Sequence, residues 1–215
     1  MTTQPADRHD EPPNRLARRK QRTRAALIAA AQSFIAAGKL NAPVLEITQA
    51  ADVGMGSFYN HFDSKEELFD AALADALDMH ADLLDAYAKS LDDPAEAFAC
   101  SFRLTGRMFR RRPQECRVLL STGLSLLSSD RGLAPRARRD IAAAVEAGRF
   151  HVTDVNLALA IVGGALLGLG QLLSDELDRD DAEAADTVTQ NLLVLLGMPA
   201  DEAGRLCRQP LPDLG

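Results

Sequence analysis

The chain has 215 residues, of which 47% are hydrophobic and 26% charged, and its net charge is -7. That length holds one domain or two small ones with a sizeable core, and the composition is that of a globular protein. Taken as a mean, the negative charge excludes a general nucleic-acid coat protein and a binder of anionic membranes. The three cysteines, Cys100, Cys116 and Cys207, are odd in number and fit neither zinc-ribbon nor CxxC spacing. No disulfide framework, metal or cofactor is therefore expected, and a reducing, cytoplasmic location is.

Met1 to Pro13 is polar, with Pro5, Pro12 and Pro13 and no apolar stretch, so it reads as a disordered tail and not as a signal peptide. Beyond it Gly and Pro punctuate the chain, β-branched alternation is absent, and every element reads as helix. The first runs from Leu16 to Ala37, with Leu27, Ala31, Phe34 and Ile35 on one face and Gly38 after its end. Pro43 opens a short second helix carrying Leu45, Ile47, Ala50 and Ala51. Gly54 breaks it, and Met55 to His61 form a third. Asp63 or Ser64 caps a fourth that reaches Lys89. Asp92-Asp93-Pro94 starts the fifth, on which Phe98, Phe102, Thr105 and Phe109 share a face. Pro113 opens the next segment, and Arg131 to Ala147 make a further helix. Thr153 or Asp154 caps an apolar helix to Leu177. Its continuous apolar run, Leu157 to Gly170, is 14 residues. A bilayer span needs about 20, so a buried helix and no membrane partner are expected. Val188, Leu192, Leu195 and Leu196 form the next stripe, stopped by Gly197 and Pro199, and Asp201 to Arg208 make the last helix. The fold class is all-α, with nine or ten helices.

The charge is unevenly spread: residues 14–62 carry +5 and residues 63–215 carry -10. Arg15, Arg18, Arg19, Lys20, Arg22 and Arg24 fall close together with no acid among them. A basic end on an acidic body is the pattern of nucleic-acid binding, because phosphates recruit cations by releasing condensed counterions. For the basic run alone, a solvated helix terminus is an equal reading. The segment Leu45 to Phe62 shifts the balance. It reads as helix, glycine turn and helix, with Ile47, Ala50 and Ala51 packing inward and Val53 and Phe58 filling the angle. Met55, Gly56, Ser57 and Asn60 project outward, where a short helix can enter the major groove. Asp63-Ser64-Lys65 begins the next helix, whose backbone N–H groups and Lys65 can meet a phosphate.

These residues resemble the TetR family of bacterial transcriptional repressors. The resemblance is carried by Arg22 to Ala31, by Ile47-Thr-Gln-Ala-Ala-Asp-Val53 and above all by Gly56-Ser-Phe-Tyr-Asn-His-Phe-Asp-Ser-Lys-Glu-Glu-Leu-Phe69. It implies a tail at 1–13, a three-helix helix-turn-helix DNA-binding domain at 14–62 and a helical effector-binding and dimerisation domain at 63–215. It implies that Met55, Gly56, Ser57 and Asn60 read bases or nearby backbone, and that Tyr59, His61 and Lys65 meet phosphates, with Arg22, Thr23 and Arg24 near them. Phe58 and Phe62 are then structural. The chain departs from the family at Gly54, Met55 and Pro43, which leaves the recognition helix poor in hydrogen-bonding groups.

In the body the resemblance implies a cavity for a small-molecule effector and a four-helix homodimer interface built from the last two long helices. Met79, Tyr87, Phe98, Phe102, Met108, Phe109, Cys116 and Leu119 are the candidates for the cavity, against ordinary core. Gly163, Gly164, Leu167, Gly168, Val188, Leu192 and Leu195 are the candidates for the interface, against close packing within one subunit. Four glycines, at 163, 164, 168 and 170, each weaken a helix by about 1 kcal/mol, which close helix approach explains. Arg103, Arg107, Arg110 and Arg111 share a face that reads as solvated, with an anionic effector as the sharper alternative. Asp78, Asp82 and Asp85 read as exposed, and Asp175 to Asp186 as a solvated turn. The histidines are scattered and no HExxH, GxSxG or P-loop occurs, so no enzyme is expected. The whole reads as a dimeric, ligand-responsive repressor of an inverted-repeat DNA operator. The competing reading is a ligand- or redox-sensing interaction protein with weak or no specific DNA binding.

Overall fold

Side-chain caps set where the helices begin. In the computed structural model, which describes residues 15–88, 90–123 and 132–212, the Ser64 Oγ accepts from the Glu67 N–H at 3.0 Å and the Glu67 Oε2 accepts from the Asp63 N–H at 2.6 Å. This reciprocal pair satisfies two orphan donors at one helix start. Asp93, Asp154 and Asp180 do the same singly at three other starts, the first with Pro94 at the next position. The expected tail and the expected helix start at Arg131 lie outside the described residues, as does Lys89.

Ten helices and no strand are found among the described residues. They are α1 (Arg15–Ala36), α2 (Val44–Ala50), α3 (Met55–Phe58), α4 (Lys65–Ala88), α5 (Pro94–Arg111), α6 (Pro113–Thr122), α7 (Leu133–Glu146), α8 (Val155–Asp175), α9 (Asp181–Leu195) and α10 (Ala200–Cys207). Two cores organise them. A head core gathers Leu27, Ala31 and Ile35 of α1, Ile47 of α2 and Phe58 of α3, and is closed by Leu68 and Ala72 of α4. A body core gathers Phe98, Phe102, Ile141, Leu159 and Leu193 around α5, which packs on α4, α6, α7, α8, α9 and α10. Helix α4 therefore belongs to both. Its first turns seal the head, and Leu77 and Leu84 pack in the body.

The head also rests on the body through α6, whose Arg117 donates to the Ala36 carbonyl at the end of α1 at 3.0 Å. On the far side, the chain between α7 and α8 is tied to the end of α9 by the His151 N–H donating to the Leu196 carbonyl at 2.7 Å. Gly197 makes that approach possible. It holds φ +100, and a Cβ there would meet the His151 Cβ at 2.7 Å.

The arginine row of α5 is not a solvated face. Arg103 is 4% exposed, bonds Asp186 of α9 at 2.8 Å and donates to the Gln209 carbonyl at 2.9 Å. Arg107 bonds the same carboxylate at 3.0 Å, and Arg110 donates to the Glu176 and Arg179 carbonyls. Guanidiniums spaced three and four apart sit on one side of a helix, and here that side packs on α9, α10 and the turn before α9. The row is an internal clamp, and Asp186 within the acidic stretch is its partner.

Candidate nucleic-acid interface and ligand cavity

In the head, Ile47 and Phe58 are fully buried and set α2 against α3. Helix α3 closes at Phe58, three residues beyond which the His61 N–H still donates to the Phe58 carbonyl at 2.9 Å. The expected third helix, Met55 to His61, is thus one α-turn followed by a tighter one. Met55, Gly56, Tyr59 and Asn60 are exposed, while Ser57, His61 and Lys65 are half-buried. A short helix presenting small side chains at its N-terminal end fits base edges closely. Phe62 is buried, and Arg24 lies over its ring at 5.1 Å to the centroid. Thr23 donates its hydroxyl proton to the Arg19 carbonyl at 3.1 Å, which occupies it within α1. Arg22 is exposed. Burial and then the neighbouring Lys20 and Arg24 lower the pKa of His61 below its ordinary value, so the imidazole is neutral at pH 7.

In the body, a cavity of about 70 Å³ opens between α4, α5, α7 and α8. Its walls are apolar, from Leu84, Phe98, Phe102, Leu133, Val162 and Leu166. One end is polar. Arg136 bonds Asp85 at 2.7 Å and Asp82 at 2.6 Å, and Arg139 bonds Asp85 and Asp140 at 2.8 Å each. Burial works to raise the Asp85 pKa, but the hydrogen bonds of Arg139 and Arg136 outweigh it and hold this carboxyl below its ordinary range. For Asp140 burial wins over Arg139 and the pKa is raised. One side of the cavity carries the hydroxyls of Ser101 and Thr105. The Thr105 hydroxyl donates to the Ser101 carbonyl at 2.8 Å, so its oxygen accepts from the His80 Nε2 at 3.1 Å. Burial, aided by Arg112, pushes the His80 pKa down to about 4, which leaves a neutral imidazole.

Of the eight residues expected at a cavity, Phe98 and Phe102 line this one. Met108, Phe109 and Cys116 lie in the body core away from its wall, Leu119 packs on Leu77, and Tyr87 packs beside Cys100 and Leu104. Met79 is 63% exposed. It falls between the inward positions Leu77 and His80 on a helix of 3.6 residues per turn, so it faces out. The aromatic stripe on α5 supplies one wall of this cavity through Phe98 and Phe102. The polar end was hidden because Asp85 was read with Asp78 and Asp82 as an exposed acidic edge. The available signal was the pair Arg136 and Arg139 on another helix with one spacing to match. Cys100, Cys116 and Cys207 are all buried, and burial pushes the Cys100 thiol up to about 11, which disfavours the thiolate that redox chemistry needs.

Helix α8 splits the four glycines. A Cβ at Gly170 would overlap the ring of Phe109, so that glycine serves packing within the subunit. Gly164 and Gly168 face open space. Leu157, Ile161 and Leu172 of α8 and Val194 and Leu195 of α9 are exposed with them. Gly163 and Leu192, expected at an interface, are buried in their own core, and Leu167 and Val188 are half-buried. Among the described helices α8 alone is long and apolar enough to cross a bilayer, with mean hydropathy 1.9, and 39% of that stretch is buried.

A helix-turn-helix head joined through one long helix to an all-helical body with an internal cavity defines a DNA-binding regulator of the sensing type. The family model described as bacterial regulatory proteins, tetR family, matches residues 26–72, and that for the tetracyclin repressor-like C-terminal domain matches residues 93–209. The crystal structure of RolR in complex with the ligand resorcinol is 33% identical, covers 93% of this chain and 100% of its own, and has a TM-score of 0.65. RolR without ligand is 32% identical over 88% of this chain and 98% of its own, at 0.73. The fatty acid degradation regulator FadR from Bacillus halodurans shares the fold at 21% identity and 0.67, over 79% of this chain and 97% of its own. No curated protein gives a match. The chain belongs to the TetR family of bacterial transcription regulators.

Proposed function

We propose that the protein is a homodimeric, cytoplasmic repressor that binds an inverted-repeat operator through its two heads and is released when a small hydroxylated aromatic compound enters the α4/α5/α7/α8 cavity. The cavity carries the reading. Its walls suit one aromatic ring, and its polar end offers carboxylates and guanidiniums to ring hydroxyls. RolR, similar along nearly the whole chain, was crystallised with resorcinol, a ring of that class. A dry cavity of about 150 Å³ takes benzene, so the present space of about 70 Å³ must widen for such a ligand. Widening displaces α4 or α7, and α4 begins at Lys65 beside the recognition turn. A ligand of this kind releases DNA only by favouring the arrangement that docks poorly. The exposed row Leu157, Ile161, Gly164, Gly168 and Leu172 supports the dimer, because a second copy covers an apolar face that water does not.

The test is calorimetric titration with resorcinol and related mono- and dihydroxybenzenes, with DNA from upstream of the gene tested in parallel. Binding is expected for at least one of these rings, lowered at least about tenfold in Asp140→Asn through loss of a charge-assisted hydrogen bond. No binding at millimolar concentration by any hydroxylated ring would remove the proposed ligand class.

A further inference from the structure

The ion pairs at the polar end of the cavity restrict the rings it can take. Arg136 is the cation among the residues of its wall. All three of its nitrogens are committed. The Nε donates to Asp85 at 2.7 Å, one terminal nitrogen to Asp82 at 2.6 Å and the other to the Gly132 carbonyl at 3.0 Å. Arg139 reaches the same carboxylates from outside. It is exposed and lines a surface pocket together with Asp85 and Asp140, but it does not line the cavity. Arg103, Arg107 and Arg110 of α5 are held toward α9, α10 and the turn before α9.

The two carboxylates of the wall differ in what they still need. Both oxygens of Asp85 are taken, Oδ2 by Arg136 and Oδ1 by Arg139 at 2.8 Å. Asp140 uses only Oδ1, which accepts twice from Arg139, at 3.0 and 2.8 Å. Its Oδ2 accepts from nothing among the described residues. Burial raises the pKa of this carboxyl in spite of Arg139, so its charged form is short of donors. A ring hydroxyl supplies one, and a hydrogen bond to a charged acceptor is strong. The Ser101 hydroxyl, also in the wall, is unpartnered among the described residues and can meet a second ring hydroxyl.

A ring carboxylate meets the opposite conditions. It must leave water for an apolar space, which is costly without a partner. It finds Asp85 and Asp140 as like charges, and a guanidinium whose every nitrogen is engaged. The cluster as a whole sets three carboxylates, Asp82, Asp85 and Asp140, against two guanidiniums. It is therefore formally anionic before any ligand enters.

We propose that the cavity admits neutral ring hydroxyls and excludes ring carboxylates, and that Asp140 sets this choice. The proposal deepens the ligand reading above and rests on it. The experiment is calorimetry on the full chain at pH 7 with phenol, catechol, resorcinol and hydroquinone. Each is paired with the two rings in which one hydroxyl is replaced by a carboxylate or by the neutral carboxamide of the same shape. For a parent ring that binds, the carboxylate is expected to bind at least about a hundredfold more weakly, and the carboxamide within about tenfold. Asp140→Asn is expected to narrow the gap between parent and carboxylate at least about tenfold. The parent loses a charged acceptor, while the anion gains an amide donor in place of a like charge. A carboxylate that binds the unaltered protein within about tenfold of its parent overturns the proposal. Exclusion of the carboxamide as strong as that of the carboxylate also overturns it, in favour of size. A gap left unchanged in Asp140→Asn, with its helical circular dichroism intact, removes Asp140 as the residue that sets the choice. If none of the four parent rings binds at millimolar concentration, the ligand reading itself falls, and the exclusion with it.

Discussion

In the head, six cationic side chains between Arg15 and Arg24 carry no ion-pair partner among the described residues, whereas in the body Arg103, Arg107, Arg136, Arg139 and Arg149 are each closed onto a carboxylate. The contrast separates two uses of one residue type. A guanidinium held by a carboxylate on another helix fixes how the two helices pack, and Arg149 does this twice, bonding Asp93 at 2.8 Å and Glu202 at 2.6 Å. A guanidinium left in solvent on a helix that already repels it adds nothing to folding and remains available to an anion. The net charge of -7 hides this, because it sums a basic head and an acidic body.

The contrast implies that the head has the thinner margin of stability, and the largest expected effect tests that. Phe58 is fully buried at the crossing of α2 and α3, with Tyr59 edge-on at 5.1 Å between centroids. Phe58→Ala is expected to destabilise the head by about 3–5 kcal/mol. Hydrogen exchange should then show α1 to α3 unprotected while α5 and α8 stay protected. Equal loss throughout would mean that α4 joins both cores into one cooperative unit, which breaks the comparison.

The body's buried histidine gives the next effect. Burial holds the His80 pKa at about 4, against 6.5 in the unfolded chain. Its pKa is depressed, so the unfolded state takes up a proton that the native state refuses, and stability falls as pH drops from 6.5 toward 4. The loss over that window is about 3 kcal/mol. Urea midpoints measured between pH 7.5 and 4.5 should show it, and His80→Gln should flatten this acid limb. An unaltered limb would mean that carboxylates elsewhere carry it.

Smaller effects separate the two kinds of glycine in α8. Gly170→Ala forces a methyl against the Phe109 ring and is expected to cost about 1–3 kcal/mol. Gly164→Ala meets open space and should stabilise an isolated subunit by up to about 1 kcal/mol. Gly164→Leu keeps the subunit folded but should raise the dissociation constant of the dimer in sedimentation experiments. An unchanged dimer would move the interface away from this row.

The all-helical class and the recognition turn were legible because their signals are local: caps, proline and glycine stops, and a run of apolar residues at fixed offsets. Asp93, Asp154 and the Ser64–Glu67 pair act within a few residues of where they stand. The polar end of the cavity was not legible because Asp85 and Arg136 lie 51 positions apart on different helices. A helical face that looks charged in sequence can be solvated or internal, and only the neighbouring helix decides. Arg103 shows the same, buried against Asp186 across 83 positions. Gly163 is buried while its neighbour Gly164 is exposed, because one step along a helix turns the side chain by about 100°.

The finest test compares two histidines whose pKa values move in the same direction for different ends. Burial lowers both, and at His61 the cations Lys20 and Arg24 add to it. His80 faces Thr105 and meets no anion, so protonating it only opposes folding. His61 is half-buried, two positions after the exposed Tyr59 and four before Lys65. A DNA phosphate there would favour the imidazolium that Lys20 and Arg24 disfavour, so binding takes up a proton. Affinity should then rise as pH falls from 8 toward 6, by at most about tenfold per pH unit, and be flat in His61→Asn. Anisotropy titrations at constant ionic strength measure it, and between pH 8 and 6.5 they stay above the range in which His80 lowers the body's stability. A profile flat in the unaltered protein would place the phosphate away from His61 and leave the contact to Lys65 and the arginine arm.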